Sequence, residues 1–363
     1  MASDTVEMRA RCLCRKHVFT ASIPRSSLPL PASACHCTSC RHNSGALFMA
    51  DVTWPNEDED LSALNKYVFS PNTDIYSCGT CSTQMFCNGQ HTGRGPAVFS
   101  GALENTLGLV RYDNHIFVGD TIDGGASSWL VNGPDEKPAT RWKERSLGGE
   151  QLDASWPGDA NPSSSADIPA SPDVTPLWCH CKGVKLFLKS GKDLAAGTDK
   201  KFFKKPEPGT GKYVTHIDAC DSCRLALGSD LIHWIFVPFD HLFYSAEDIS
   251  QGATPPFANM YDLRKAVSTQ DPRIGTLALY RSSDRAERYH CSKCSATIFY
   301  TEHGLPEQAD IAIGVLEHPD GARAESLLAW DRKHSDHIKD TVGGWREGLV
   351  HKYVDEARSW RSQ

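Results

Sequence analysis

The chain has 363 residues, of which 40% are hydrophobic and 23% charged, and its net charge is −7. This length suits two domains, and the composition is typical of a globular protein. The run of lysines at 200–205 is too short to form a nucleic-acid-binding surface, so nucleic acid is excluded as a natural partner. No apolar segment reaches the roughly 20 residues that span a bilayer, and the N-terminus lacks a signal core, so we expect a cytoplasmic protein without a membrane partner.

Short segments rich in β-branched and aromatic residues predict strands, in chain order at 66–70, 115–120, 233–239, 296–302 and 309–317. The segment 146–176 is rich in Ser, Pro, Asp, Ala and Gly and poor in large apolar residues, which predicts a flexible linker. The best helical candidate is 341–360 at the C-terminus. We therefore expect a mainly β fold with few helices.

Fourteen cysteines are the most informative feature of the sequence. In a cytoplasmic protein they are expected to stay reduced, so metal ligation explains them better than disulfides do. They form two series in the same order: a Cys-x-Cys pair, a central cluster and a Cys-x-x-Cys pair. The first series is Cys12 and Cys14, then Cys35, Cys37 and Cys40, then Cys78 and Cys81, with Cys87 left over; the second is Cys179 and Cys181, then Cys220 and Cys223, then Cys291 and Cys294.

The residues that flank these motifs indicate a duplication. SCRHNSGALFMADVTWP (39–55) resembles SCRLALGSDLIHWIFVP (222–238), and CGTCSTQMF (78–86) resembles CSKCSATIF (291–299). The sequence therefore predicts two tandem domains, joined by the 146–176 linker, with insertions around 190–212 and 244–275 in the second. The predicted domain boundaries are 8–145 and 177–357.

The outer cysteine pairs predict structural zinc sites. A Cys-x-x-Cys knuckle presents two sulfurs to one ion, and a second pair completes a tetrahedron with Zn–S distances of ~2.3 Å. A redox role is the weaker alternative, because no thioredoxin-like pattern surrounds either Cys-x-x-Cys pair. The two predicted sites are Cys12, Cys14, Cys78 and Cys81, and Cys179, Cys181, Cys291 and Cys294.

The central cluster of the first series predicts a different kind of site. Cys35, Cys37 and Cys40 supply three thiolates, and three protein ligands with an open position are typical of a reactive zinc. The alternative is a structural zinc closed by a fourth ligand such as Cys87 or His91. His36 lies between two of the ligands, so on an extended chain it points to the opposite face, where it serves as a structural histidine or as a base.

These motifs resemble a known family. RCLC (11–14), CHCTSCRHNSGALF (35–48) and CGTC (78–81) occur in the order found in the glutathione-dependent formaldehyde-activating enzyme family, whose domain centromere protein V shares. The resemblance covers both halves of the chain and is more specific in the first. It implies a β-tent fold, with small antiparallel sheets folded over zinc knuckles.

The resemblance also implies a function. The outer cysteines would hold structural zinc, and Cys35, Cys37 and Cys40 would hold a labile zinc in the active site. The activity for which the family is named joins glutathione to formaldehyde, giving S-hydroxymethylglutathione, and it is classed as a carbon–sulfur lyase.

The second central cluster departs from the pattern of the first. Aligned on Cys223, Cys220 matches Cys37, and Asp218 matches Cys35. Aspartate can ligate zinc as a harder oxygen donor, and His216 is near in sequence. Asp218, Cys220 and Cys223 therefore form a doubtful fourth metal site, which is a mixed-ligand site, an empty scaffold or a different substrate pocket.

Three functions are compatible with these patterns. The first is a zinc-dependent carbon–sulfur lyase that acts on glutathione or another thiol or thioether at Cys35, Cys37 and Cys40, with His36 as a further catalytic candidate. The second is a non-catalytic, zinc-stabilised binding scaffold, which a fourth ligand closing the cluster would favour. The third is methionine sulfoxide reduction, for which Cys87 is the candidate nucleophile.

Overall fold

The computed structural model describes residues 4–89, 95–131, 138–146, 148–153, 156–157 and 172–360. We call the described residues up to 157 the first half and residues 172–360 the second half. Strands predominate in both halves and the helices are mostly short, so the predicted mainly β fold is confirmed. None of the helices in the described part combines the length and apolar composition that a membrane-spanning helix requires.

The first half contains a hairpin and one large sheet. The hairpin pairs β1 (Thr5–Arg11) with β2 (Val18–Pro24). The remaining elements are β3 (Leu30–Cys35), α1 (Thr38–Ser44), β4 (Met49–Thr53), β5 (Asn65–Ser70), β6 (Thr73–Ser77), β7 (Gln84–Gly89), β8 (Ala97–Phe99), β9 (Val110–Ile116), β10 (Thr140–Trp142) and β11 (Gln151–Leu152). Their order in the sheet is β11-β10-β9-β3-β4-β8-β7-β6-β5.

The second half contains a three-stranded sheet and a seven-stranded sheet. The elements are β12 (Val174–Trp178), β13 (Lys185–Lys189), β14 (Tyr213–Asp218), α2 (Asp221–Leu227), β15 (Ile232–Pro238), β16 (Leu242–Phe243), α3 (Ala246–Ser250), α4 (Met260–Ser268), β17 (Leu277–Arg281), β18 (Ala286–Cys291), β19 (Thr297–Glu302), β20 (Gln308–Ala312), β21 (Leu328–Asp336) and α5 (Trp345–Ser359). The small sheet is β12-β13-β16, and the large one is β17-β18-β19-β20-β15-β14-β21.

The two large sheets share one strand order. The seven strands β9-β3-β4-β8-β7-β6-β5 correspond one to one with β21-β14-β15-β20-β19-β18-β17. In the first half β3 pairs in parallel with β9 and antiparallel with β4. In the second half β14 pairs in the same way with β21 and β15. The repeated order of cysteine motifs along the chain is therefore accompanied by a repeated order of strands in space.

Most of the predicted strands are confirmed. The segments 66–70, 233–239 and 296–302 correspond to β5, β15 and β19 to within one residue at each end. The strand predicted at 309–317 ends earlier, because a 3₁₀ helix at Ile313–Val315 follows β20 directly.

Two boundaries differ because of local backbone conformation. The strand predicted at 115–120 is wrong, since β9 ends at Ile116 and Phe117 turns the chain with a φ of 54°. The C-terminal helix begins later than the predicted 341–360, because Gly343 has a φ of 79°, a left-handed value that interrupts helical geometry.

The segment predicted as the linker contains some regular structure. β11 lies within 146–176 and pairs with β10, and β12 begins before the segment ends. Residues 147, 154–155 and 158–171 lie outside the described residues.

The two halves contact each other through equivalent glycines. Gly45 and Gly228 end α1 and α2 in the left-handed conformation, with φ values of 92° and 72°. A Cβ on Gly101 would lie 2.3 Å from the carbonyl carbon of Gly228, and a Cβ on Gly314 would lie 2.6 Å from that of Gly45. The same pair of surfaces therefore meets twice, as in a twofold-symmetric dimer, and only glycine allows the backbones so close.

A buried charge network lies across this contact. Asp230 of the second half accepts a hydrogen bond from the Arg346 guanidinium at 2.6 Å and one from the Tyr112 hydroxyl of the first half at 2.5 Å. Ser100 of the first half also donates to Asp230. Asp230 is 1% exposed and Arg346 is 1% exposed, so this ion pair is isolated from water.

We expect Asp230→Ala to lower the free energy of unfolding by about 3–5 kcal/mol, because removal of one partner leaves the buried Arg346 charge without its carboxylate. Urea denaturation of the full chain measures this loss. Glu150→Ala, which breaks the exposed pair with Lys143, is the control and should cost less than about 1 kcal/mol. Equal effects of the two variants would contradict a stabilising role for the buried pair.

Candidate metal centres and active site

The four outer cysteines of each half converge on one point. In the first half the sulfur of Cys14 lies 3.5 Å from that of Cys12 and 3.6 Å from that of Cys78. In the second half the sulfur of Cys181 lies 3.6 Å from that of Cys179 and 3.5 Å from that of Cys291. Sulfurs bound tetrahedrally to zinc at ~2.3 Å lie about 3.8 Å apart, so both groups could hold zinc. The groups are Cys12, Cys14, Cys78 and Cys81, and Cys179, Cys181, Cys291 and Cys294.

The backbone around these sulfurs also suits thiolates. The amides of Thr80 and Lys293, inside the two Cys-x-x-Cys knuckles, each lie 3.4 Å from the first sulfur of their knuckle. The residue after each knuckle, Ser82 or Ser295, has a positive φ, 60° and 64° respectively. N–H groups directed at sulfur favour its charged form, so the same turn prepares both groups for a cation.

The cysteine triad (Cys35, Cys37 and Cys40) is assembled where β3 runs into α1. Cys35 is the last residue of β3, Cys37 caps the N-terminus of α1, and Cys40 lies in its first turn. The Cys37 sulfur accepts a hydrogen bond from the Cys40 amide at 3.2 Å. The three sulfurs lie within 4.8 Å of one another and all three residues are half-buried, so they could hold one metal ion that stays accessible.

The three thiols of the triad differ in pKa. Hydrogen bonds from Cys35 and Cys40 lower the pKa of Cys37 to about 3. Hydrogen bonding with their neighbours and burial raise the pKa of Cys35 and of Cys40 well above the ordinary thiol value. A divalent cation between the three sulfurs would favour the thiolate form of each, because metal ligation requires deprotonated cysteine.

An aspartate that sequence reasoning missed lies on the same sheet face as the triad. Cys35 pairs with Met49 and Ser33 pairs with Asp51, so alternation along the strands puts Cys35 and Asp51 on one face. Burial raises the pKa of Asp51 to about 6. The one signal of this aspartate in the sequence is that it is the polar residue of the otherwise apolar segment 48–52.

An apolar cluster near the triad includes Cys87. Cys87 packs beside Met49, Ile75 and Phe99, and burial raises its pKa well above the ordinary thiol value. Its sulfur does not join the triad, and its protonated state makes it a poor nucleophile, which argues against methionine sulfoxide reduction. His91, the other predicted fourth ligand, lies outside the described residues.

His36 lies in the protein core. Its Nε2 is 2.9 Å from Nδ1 of His115, and its ring is 5.5 Å from that of Phe48. The side chain is fully buried, and burial lowers its pKa well below the ordinary histidine value. A catalytic role for His36 stays a prediction, and its contacts are those of a structural histidine.

The first four-sulfur group and the cysteine triad lie in a stretch of the chain that matches a known protein family. Residues 7–120 match the family model of the glutathione-dependent formaldehyde-activating enzyme. This stretch of the chain is similar to the domain of that family. The match spans the first four-sulfur group and the cysteine triad, which confirms the resemblance for the first half. No match was found among curated proteins or among solved structures.

The matched family indicates a broad class of chemistry. It is an enzyme family that acts on glutathione adducts and is associated with zinc, and the cysteine groups of the first half could hold that metal. The family match does not extend into the second half, where the equivalent central site has different residues.

The second central site combines three kinds of donor. Asp218, Cys220 and His337 place ligand atoms within 4.8 Å of one another. Cys223 is not part of that group, and its sulfur instead lies 3.6 Å from two nitrogens of Arg288. Sequence reasoning named Asp218, Cys220 and Cys223 and missed His337, which the parallel pairing of β14 with β21 brings to the site.

The other predicted neighbour, His216, lines the same cavity but does not belong to this group. Its Nδ1 lies 2.6 Å from a carboxylate oxygen of Asp336. His337 in turn lies beside Asp218, and hydrogen bonding to that carboxylate raises the pKa of His337 to about 9.

The second half also borders the first half near the cysteine triad. His180, between two outer cysteines, bonds the Tyr67 hydroxyl through Nδ1 at 2.7 Å and stacks on Phe69 at 4.6 Å. Phe69 packs against the apolar cluster that also contacts Cys40. A residue of the outer four-sulfur motif of the second half therefore packs next to the apolar residues that contact the triad of the first half.

Proposed function

We propose that the protein is a zinc-dependent enzyme of the carbon–sulfur lyase type that acts on an adduct of glutathione or another thiol at the cysteine triad. The observation that carries this proposal is the open triad: among the described residues, no fourth ligand atom joins Cys35, Cys37 and Cys40. Three protein ligands leave one position for a substrate, as in catalytic rather than structural zinc sites. A non-catalytic scaffold would be favoured by a closed site.

We further propose that the chain consists of two tandem domains of one family, at 8–145 and 177–357, with 146–176 between them. The shared strand order of the two large sheets supports this assignment. The two outer four-sulfur groups would hold structural zinc in both domains. The reaction would belong to the first domain, because it alone has three cysteines in its central site.

The reaction requires sulfur activation and proton transfer. Bound at the triad, zinc would supply a Lewis acid that favours the thiolate form of a substrate sulfur at neutral pH. When a hydroxymethyl thioether is cleaved, the hydroxyl proton passes to a base while the C–O bond becomes a carbonyl. The C–S bond breaks at the same time, and its electron pair stays with the departing sulfur as a thiolate.

The residues beside the triad suit these tasks. Asp51 on the same face is a candidate base, because its raised pKa of about 6 keeps it ionised at pH 7 while making it more basic than an exposed aspartate. Met49, Ile75 and Phe99 form an apolar wall next to it. Such a wall limits water around the reacting groups and strengthens the electrostatic interactions among them.

The proposal is tested by exchange between formaldehyde and its glutathione adduct. We expect the zinc-loaded full chain to accelerate this exchange above the uncatalysed rate, measured by magnetisation transfer with ¹³C-labelled formaldehyde. A panel of other thiols then defines the thiol partner. Absence of acceleration with every thiol in the panel would contradict the proposed function.

Asp51→Asn is expected to lower kcat/KM by about a hundredfold or more, since general-base catalysis contributes at least this factor. In the wild type, kcat/KM should rise with pH through about pH 6, because the ionised form of Asp51 is the active one. The variant should lose this rise. Asp113→Asn, in the same sheet but paired with Arg111, is the matched control and should keep the wild-type profile. An unchanged pH profile in Asp51→Asn would exclude Asp51 as the base.

A further inference from the structure

We propose that the second half binds a divalent transition-metal ion through Asp218, Cys220 and His337, and that Cys223 is not a ligand. The three ligand atoms lie within 4.8 Å of one another. This site is separate from the reaction proposed for the first half and does not depend on it.

The position of the site follows from the equivalence of the two sheets. Asp218 ends β14, Cys220 caps α2, and His337 follows β21, the parallel neighbour of β14. Because parallel strands end at the same edge of a sheet, the residue after β21 returns to the residue at the end of β14. His337 and Phe117 occupy equivalent turns, with φ values of 57° and 54°. At this turn the second half therefore carries an imidazole where the first half carries a phenyl ring.

The second half has also removed one sulfur from the cluster. Arg288 places two guanidinium nitrogens 3.6 Å from the Cys223 sulfur and donates to Ser222 at 2.9 Å. Arg288 lies on β18, where the equivalent strand β6 carries the apolar Ile75. A fixed positive charge at this distance repels a cation from Cys223. Compared with the triad, the central site of the second half therefore has the imidazole of His337 as a donor in place of the sulfur of Cys223.

The Asp218 carboxylate is held in place by its neighbours. Oδ1 accepts a hydrogen bond from the Cys220 amide at 2.9 Å, and Nδ1 of His337 lies 3.1 Å from the same oxygen. Oδ2 accepts one from the indole of Trp234 at 3.1 Å. Asp218 is 3% exposed, so its position is fixed by the surrounding structure rather than by solvent. A set of one oxygen, one sulfur and one nitrogen donor favours Zn²⁺ or Co²⁺ over Mg²⁺ or Ca²⁺, which prefer oxygen alone.

The proposed ligands line a cavity of about 440 Å³. Its walls include Trp234, Phe236, Tyr300 and Arg288. This volume falls within the range of small-molecule pockets. Three protein ligands leave one coordination position, and the cavity gives that position access to water or to a small molecule with an oxygen or sulfur donor.

Cobalt binding to the full chain tests the proposal. Protein saturated with Co²⁺ under reducing conditions and then dialysed is analysed for cobalt per chain, with thermal melting as the check of folding. We expect His337→Phe, which restores the first-half residue, to bind one Co²⁺ fewer per chain than the wild type. His337→Asn should give the same loss, and asparagine tolerates the left-handed backbone at this position. Cys223→Ala should bind as much Co²⁺ as the wild type.

Two results would overturn the proposal. Cobalt content that is unchanged in both His337 variants would exclude His337 as a ligand. Loss of one ion in Cys223→Ala, in a protein that melts normally, would assign the site to the cysteines instead. Because the His337 variants leave the triad intact, they should keep the formaldehyde exchange activity, so the two proposals fail independently.

Discussion

Cys78→Ser is expected to abolish the cooperative thermal transition of the whole chain. Cys78 is buried within the first four-sulfur group, which joins the turn after β1 to the turn between β6 and β7. A structural zinc contributes about 10–16 kcal/mol to folding, which is comparable to the total stability of about 5–15 kcal/mol of a typical domain. The effect should reach the second half, because a single apolar core runs through both halves.

Calorimetry of the purified variant measures this effect, with Cys87→Ala as the matched control. Cys87 is also half-buried in the first half, but its sulfur belongs to none of the groups that could hold a metal. Its replacement should lower the melting temperature by only a few degrees, because it leaves only a small cavity. A normal melting curve for Cys78→Ser would contradict a structural zinc at the first four-sulfur group.

Cys37→Ser is expected to reduce formaldehyde exchange at least about a hundredfold while the protein stays folded. Serine is among the preferred helix N-caps, so the hydroxyl can accept the Cys40 amide that the sulfur accepts at 3.2 Å. The capping of α1 is kept, and the sulfur ligand is lost. The variant therefore separates the chemical role of Cys37 from its structural one.

Cys220→Ser, at the equivalent position of the second half, is the control for this experiment. It should keep the wild-type exchange rate, since the reaction is proposed for the first half only. Full activity of Cys37→Ser would contradict catalysis at the triad, and equal loss in both variants would show that the reaction does not distinguish the two halves.

The sequence is sufficient to predict the parts of the site whose residues lie close together in the chain. The four-sulfur groups follow from the Cys-x-Cys and Cys-x-x-Cys spacings, and the triad follows from Cys35, Cys37 and Cys40. Strands such as β5, β15 and β19 follow from local β-branched and aromatic runs. Each cysteine pair, the triad and each of these strands is a short local pattern, although the two pairs of a four-sulfur group lie far apart in the chain.

The features that were missed depend on distant pairing. His337 reaches Asp218 only because β21 runs parallel to β14, and no local pattern marks a histidine after a strand as a ligand. Asp51 is one residue in a strand, and its raised pKa comes from burial that the fold creates. The contact of Gly101 with Gly228 joins two halves whose packing the composition of the linker could not predict.

The most direct test of this account is the zinc content of the wild type and of Cys37→Ser, each loaded with zinc under reducing conditions and dialysed. We expect one zinc fewer per chain in Cys37→Ser, with the same melting temperature, because the triad would hold its own ion apart from the four-sulfur groups. Equal zinc content in the two proteins would contradict it, since the triad would then be no metal site and the proposed chemistry would have no centre.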